Sequence, residues 1–290
     1  MTNTLQLPPP PIAPWREGFL ETPEVRLRYL EWGDSGEAPL LLLHGIGQTA
    51  HTWAYFATAM QRHYRVIAVD QRGHGDSGWA PDGDYATAAH ARDLDALIEQ
   101  FKLENFALVG FSMGGRNAMW LTDRHPTKVR RLVIVDAGPE RPSSGGSQAR
   151  RFMSGPDVLS SVEDFVERAI QFNPRRNREI LRESLLHNLR QLPDGRWTWK
   201  YDPVLREPNR RNPPWGDLWP VLAKIPCPTL IVRGAESPAL PPEQAARMVE
   251  VIPDARMVTI SAAGHTVMGD NPLEFEAKVK PFLVDEGAAR

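Results

Sequence analysis

The chain of 290 residues holds a single cysteine, Cys227. One thiol excludes an intrachain disulfide framework and fits a reducing, cytoplasmic setting. Within "IPCPTL" it reads as a small buried residue at a strand start, not as a nucleophile. An excess of one charge is lacking too. Lys and Arg total 34 against 36 Asp and Glu, a formal net charge of −2, so nothing global calls for nucleic acid or an anionic membrane as partner. No apolar run approaches the roughly 20 residues of a membrane span. The start, "MTNTLQLPPPPIAPW", has neither the basic residues nor the apolar stretch of a signal peptide. H-E-x-x-H and Cys/His clusters are missing, so the sequence asks for no metal and no cofactor. Internal repeats are missing as well.

What is present is strand–helix alternation. "VRLRYLEW" (25–32) alternates and reads as a strand with one wet face. "APLLLLHG" (38–45) is a continuous apolar run ending at glycine, the form of a strand buried on both faces. "YRVIAVD" (64–70), "NFALVG" (105–110), "VRRLVIVD" (129–136), "PTLIVRG" (228–234) and "ARMVTI" (255–260) repeat it. Helical patterns separate them, among them "YATAAHARDLDALIEQFKL" (85–103), where Ala88, Ala91, Leu94, Leu97, Ile98 and Phe101 share a face. The fold class expected is α/β: a mostly parallel twisted sheet with helices on both faces.

Residues 138–220 break that rhythm with a Gly/Ser-rich loop, two helical stretches near 162–172 and 175–191, and a tract rich in Trp, Arg and Pro. They are expected to form an inserted helical cap without an obvious core of its own. Residues 1–137 and 221–290 then form the main body, with 1–23 as a Pro-rich N-terminal arm.

Three segments carry chemistry. "GFSMG" (110–114) is G-x-S-x-G between a strand and a helix, which is the context that holds a serine in a strained, projecting turn. Ser112 is the candidate nucleophile, and the N–H of Met113 at the helix start can face an oxyanion. "LLLHGIGQ" (41–48) offers a second donor, the N–H of Ile46, while His44 is expected to brace this loop through backbone hydrogen bonds. "SAAGHTVMGDNP" (261–272) puts His265 on a loop after the last strand, within reach of a serine on a neighbouring strand, and makes it the candidate base. Asn271, Pro272 and Glu274 account for the start of the next helix as cap, first-turn proline and capping-box partner.

"HGIG", "DQRGHGDS" (70–77), "GFSMGG" and "AGHTVMGDNP" occur in an order and spacing that resemble the α/β-hydrolase superfamily over nearly the whole chain. The resemblance implies hydrolysis of an ester or related acyl bond by a Ser-His-acid triad. It also implies that Asp70, Arg72 and Asp76 form a structural brace. In the family's common pattern the acid is an aspartate three or four residues beyond the glycine at 234. Those positions here are Ser237 and Pro238, so this loop reads as released from catalysis. Two carboxylates remain. Asp136 ends the strand after the nucleophile's helix, as in some dehalogenases and lactonases of similar fold, and is preferred. Glu236 is the reserve.

The expected substrate is a small-molecule ester or lactone, with a homodimer left open. His51 and Trp53 are candidate pocket walls, and Trp197, Trp199, Trp215 and Trp219 could line a pocket for a bulky cyclic ester such as a macrolactone. Arginines 175, 176, 178, 182, 190, 210 and 211 read as solvated faces. Alternatives on the same fold are C–C bond hydrolysis, perhydrolase chemistry of the cofactor-free haloperoxidases, and cofactor-free dioxygenation. A hydrolase-like ligand-binding protein is the non-enzymatic alternative.

Overall fold

The apolar run at 39–43 is the centre of the molecule, and its burial explains its composition. Leu40 and Leu42 belong to one core cluster, Leu41 and Leu43 to another, on opposite faces of one sheet. Successive strand residues point to opposite faces, so a strand covered on both sides must be apolar throughout. Each such leucine contributes about 1.5–3 kcal/mol by leaving water.

The computed structural model describes residues 11–34, 36–140, 155–174, 176–207 and 217–284. The main sheet takes β1 (Arg16–Glu21), β2 (Arg26–Trp32), β3 (Pro39–Leu43), β4 (Arg65–Val69), β5 (Phe106–Phe111), β6 (Val129–Val135), β10 (Thr229–Gly234) and β11 (Ala255–Ile260). Their spatial order is β1-β2-β4-β3-β5-β6-β10-β11. The pairs β1–β2 and β2–β4 are antiparallel, and every other pair is parallel. Helices α2 (Thr87–Gln100), α3 (Met113–Arg124) and α7 (Pro242–Val251) supply Leu94, Met119 and Met248 to one face. Helices α1 (Ala54–Met60) and α9 (Pro272–Val284) supply Phe56 and Phe275 to the other. The α/β class and the mostly parallel sheet expected from the sequence are what the structure shows.

Several local expectations change. Residues 16–21 are not part of an extended arm: they form β1, paired along its length with β2. Residues 1–10 lie outside the described residues. The strand at 26–32 does not have a wet face, because Arg28 is buried in ion pairs with Glu17 and Asp70 while Leu27, Leu30 and Trp32 enter the core. On α2 the buried positions are Ala89, His90, Asp93, Leu94, Leu97 and Ile98, and Ala88 is exposed. The inward face turned because Asp93 is paired with buried Arg72, at 2.6 Å from Nε. The strand at 255–260 is an edge strand: Arg256, Met257 and Thr259 are exposed, while Val258 and Ile260 pack on the core.

Between β6 and β10 the described residues form helices α4 (Val162–Phe172) and α5 (Arg178–Asn188), with a three-stranded antiparallel sheet of β7 (Val158–Leu159), β9 (Trp197–Trp199) and β8 (Leu189–Gln191). Ser161 and Asp164 form a reciprocal capping box at the start of α4. This segment does have an apolar cluster: Phe165, Val166, Leu181, Leu185, Trp199, Tyr201 and Leu205 pack with Ala80 and Tyr85 of the main body. Polar ties fasten it there. Thr49 donates to Asn188 (2.8 Å), Asn173 to Asp270 (2.8 Å), and Lys200 to Asp76 (2.7 Å). Residues 141–154 and 208–216, which include Trp215, Arg210 and Arg211, lie outside the described residues, as does Arg175.

Candidate active site

Parallel strands deliver their carboxyl ends to one edge of the sheet, and that edge holds the candidate groups. Ser112 follows β5 directly and precedes α3, with φ 53° and ψ −113°. An L-residue is strained in that region, and here two glycines make it possible. A Cβ on Gly110 would lie 2.3 Å from the carbonyl oxygen of Gly114, and one on Gly114 would lie 2.3 Å from that of Leu43. The G-x-S-x-G spacing is thus a steric requirement: the turn closes on itself and against β3.

His265 lies beyond β11, and its loop is set by Asp270, whose carboxylate accepts from the Gly264 N–H at 2.9 Å. Its ring packs on Phe111 and joins two partners. Nε2 is 3.0 Å from the Ser112 hydroxyl and Nδ1 is 2.7 Å from Oδ2 of Asp136. The Asp136 carboxylate requires a proton on Nδ1, leaving Nε2 as the acceptor facing the serine.

Asp136 follows β6 with φ 46°, a second strained residue at the same sheet edge. Its side chain is fully buried, whereas that of His265 is 30% exposed. A buried carboxylate needs donors. Besides the imidazole it has the Gly234 N–H, 3.3 Å from Oδ1, and the Ser237 hydroxyl on Oδ2. Of the two candidate acids, therefore, Asp136 meets the histidine. Glu236 sits exposed on the loop, and both ring nitrogens of His265 are already occupied. The reading of this loop as released from the site is corrected by Ser237, which is buried against the carboxylate. Nothing local in "VRGAESPALPP" marks that contact, because its partner lies 101 residues away in the chain.

The loop after β3 reaches the serine. A Cβ on Gly45 would meet Phe111 at 2.7 Å and the Ser112 Cβ at 3.2 Å, so Ile46 follows a residue in contact with the nucleophile. Met113 is the first residue of α3, where helix N–H groups lack intrahelical partners. His44 holds the loop from behind. Nδ1–H donates to the Gly45 carbonyl (2.7 Å) and Nε2 accepts from the Gln71 N–H (2.9 Å). Full burial pushes its pKa down to about 4. Asp70 accepts from the Ala50 and Asp76 N–H groups and from Arg28, so it acts as a brace for the neighbouring turn. Burial pushes the Cys227 thiol up to about 12, which suits an inert core residue. Among the described residues no group of side chains could hold a metal ion, and no helix is long and apolar enough to cross a membrane.

The aromatic candidates for pocket walls are placed by packing. Trp53 is fully buried beside Phe56 and Phe275. His51 stacks on His187 at 3.5 Å, edge-on to Trp15. Trp199 lies between Phe165 and Tyr201, and Trp197 packs on the same cluster. Trp219 sits under the Arg247 guanidinium and donates to Glu140 at 2.8 Å, clamping the end of the inserted segment to α7. The arginines at 176, 178, 182 and 190 divide. Arg178 and Arg182 pair with Glu167 and Glu163 on solvated helix faces, whereas Arg176 is largely buried, 3.9 Å from Asp270.

Comparison with known proteins identifies the family. The family model described as the alpha/beta hydrolase fold matches residues 38–272. An esterase of Mycobacterium tuberculosis is 31% identical over 251 residues, covering 84% of this chain and 81% of that protein. An sn-1-specific diacylglycerol lipase of Mus musculus is 31% identical over 268 residues, covering 87% and 82%. The crystal structure of an alpha/beta hydrolase from Novosphingobium aromaticivorans superposes with a TM-score of 0.84 at 26% identity, covering 94% of this chain and 99% of that one. With its strand order, strained serine turn and sheet-edge histidine, the chain belongs to the α/β hydrolase family.

Proposed function

We propose that this protein is a serine hydrolase that cleaves a carboxylic ester or lactone through an acyl-enzyme. One observation carries the reading: the continuous line from Asp136 through His265 to Ser112, with contacts of 2.7 and 3.0 Å. His265 Nε2 takes the hydroxyl proton as Ser112 Oγ attacks the carbonyl carbon. The N–H groups of Ile46 and Met113 stabilise the resulting oxyanion. His265 then protonates the leaving alkoxide, which departs as an alcohol, or stays tethered when the substrate is a lactone. Water, deprotonated by His265, attacks the acyl-enzyme; the bond to Ser112 Oγ then breaks, His265 returns the proton to that oxygen, and the carboxylic acid leaves. Asp136 orients the ring and stabilises the imidazolium at both steps.

The esterase and lipase relatives support acyl-bond hydrolysis as the chemistry. Residues 138–220 are proposed to act as a cap that selects substrate. Of the tryptophans that suggest a bulky ester, the three described, Trp197, Trp199 and Trp219, are engaged in packing, so the proposal stops at carboxylic ester or lactone. The test is turnover of p-nitrophenyl esters of increasing acyl length and of simple lactones, with Ser112→Ala as control. Expected is hydrolysis of at least one compound and a loss of at least about a thousandfold in the variant. Cleavage of a vinylogous diketone, with every ester and lactone inert, would replace this reading by C–C hydrolysis.

A further inference from the structure

Ser237 stands where the family's acid is commonly found, and it is neither charged nor exposed. It is buried, 3% exposed, on the loop leaving β10. Its oxygen accepts from the Ala239 N–H at 3.1 Å, and its hydroxyl contacts Oδ2 of Asp136. A carboxylate offers no proton, so the serine O–H donates and its direction is fixed. Oδ2 thus takes two donors, Ser237 and His265 Nδ1–H, while Oδ1 has the Gly234 N–H at 3.3 Å. Two of the three donors come from the end of β10 and its loop. They close around a carboxylate carried on the strained end of β6.

We propose that Ser237 is a positioning residue for the acid: its hydroxyl locks the Asp136 carboxylate with Oδ2 turned to His265. This deepens the serine-hydrolase reading and rests on it. Ser237 acts through Asp136 and is not assigned a contact with substrate. Its hydroxyl has two effects. It restrains rotation of the carboxylate, which holds the imidazole where Nε2 meets Ser112. It also draws charge from Oδ2, which weakens the pull on the imidazole proton. Without it the carboxylate is less well oriented and the charge on Oδ2 faces the imidazole alone. The other charged groups around this corner have their own partners. Arg233 donates to the carbonyls of Ala235, Ser237 and Leu240, and Arg116 donates to that of Gly138. Glu236 is exposed.

The experiment uses Ser237→Ala, Ser237→Thr and Asp136→Asn, alone and with Ser237→Ala, on an ester that the wild type hydrolyses. Ser237→Ala is expected to lower kcat by about tenfold with KM nearly unchanged. The acid limb of kcat/KM should move to higher pH, and Ser237→Thr, which keeps a hydroxyl, should restore most of the rate. In the Asp136→Asn background Ser237→Ala should cost less than about twofold, because the residue acts through the carboxylate. A second readout needs no turnover: the low-field His265 Nδ1–H proton resonance, identified by its loss in His265→Gln, should shift in Ser237→Ala and return in Ser237→Thr. An unchanged kcat, an unmoved resonance, or an equal loss with and without Asp136 would overturn the proposal. An inactive wild type whose resonance still responds to Ser237 would instead refute the hydrolase reading and leave the positioning role standing.

Discussion

Exchanging Asp136 for Asn is the sharpest perturbation of the site, because it removes one charge and almost no volume. In the native site the 2.7 Å contact gives the imidazolium an anionic partner with no exposed surface. The amide can face either way. With its NH2 at the Oδ1 position, it meets the Gly234 N–H donor head-on at the former 3.3 Å contact, and His265 keeps a neutral acceptor. With its NH2 at Oδ2, it faces His265 Nδ1 and forces the ring proton to Nε2, where the serine proton can no longer be accepted. The first arrangement forfeits a charge-assisted hydrogen bond, about 1.5–3 kcal/mol. The second costs about ten-thousandfold in triads of this kind. The expected fall in kcat is therefore between about tenfold and ten-thousandfold, about 1.5–5.5 kcal/mol. Glu236→Gln, made in parallel, should change kcat by less than about threefold, since that carboxylate is exposed and His265 has no free nitrogen for it. The assay is initial-rate hydrolysis of a chromogenic ester, with thermal unfolding as the folding control. A larger loss in Glu236→Gln, or more than about a tenth of wild-type activity in folded Asp136→Asn, refutes the assignment.

Two further outcomes concern stability. Arg72→Met strands the carboxylate of Asp93, which Arg72 now grips at 2.6 and 2.8 Å, and should cost about 3–5 kcal/mol in urea unfolding; a loss under about 1 kcal/mol would show that the pair is not a structural anchor. Burial depresses His44 to about 4 and His74 to about 3, so the unfolded chain binds protons that the folded one refuses. Stability is then full above pH 6.5 and falls as the pH drops from there towards about 4 for His44 and about 3 for His74, by about 1.4 kcal/mol per pH unit for each group at most; a melting temperature that stays level or rises between pH 7.5 and 5 contradicts this.

Much of the site was legible because it follows from strand ends. Ser112, Asp136 and His265 each come directly after a strand or in the loop beyond it, and parallel strands bring such positions to one edge. What stayed hidden depends on contacts distant in sequence. "REGFLE" has no apolar alternation because it is an edge strand with one buried residue, so β1 merges with the proline-rich segment before it. The inward face of α2 departs from its apolar spacing because His90 and Asp93 are polar and buried, the latter paired with Arg72. Ser237 looked inert because the carboxylate it serves lies on another strand. The tryptophans of residues 197–219 had the right chemistry for a pocket, and only the packing shows that those described are held by Phe165, Tyr201 and Arg247.

The central claim is that Ser112 is an activated nucleophile. Treatment of the native protein with a fluorophosphonate probe, followed by peptide mapping, tests it directly. The account predicts a single stoichiometric adduct on Ser112, absent in Ser112→Ala and formed far more slowly in Asp136→Asn. A folded protein that leaves Ser112 unlabelled, or that carries the adduct elsewhere, would contradict it.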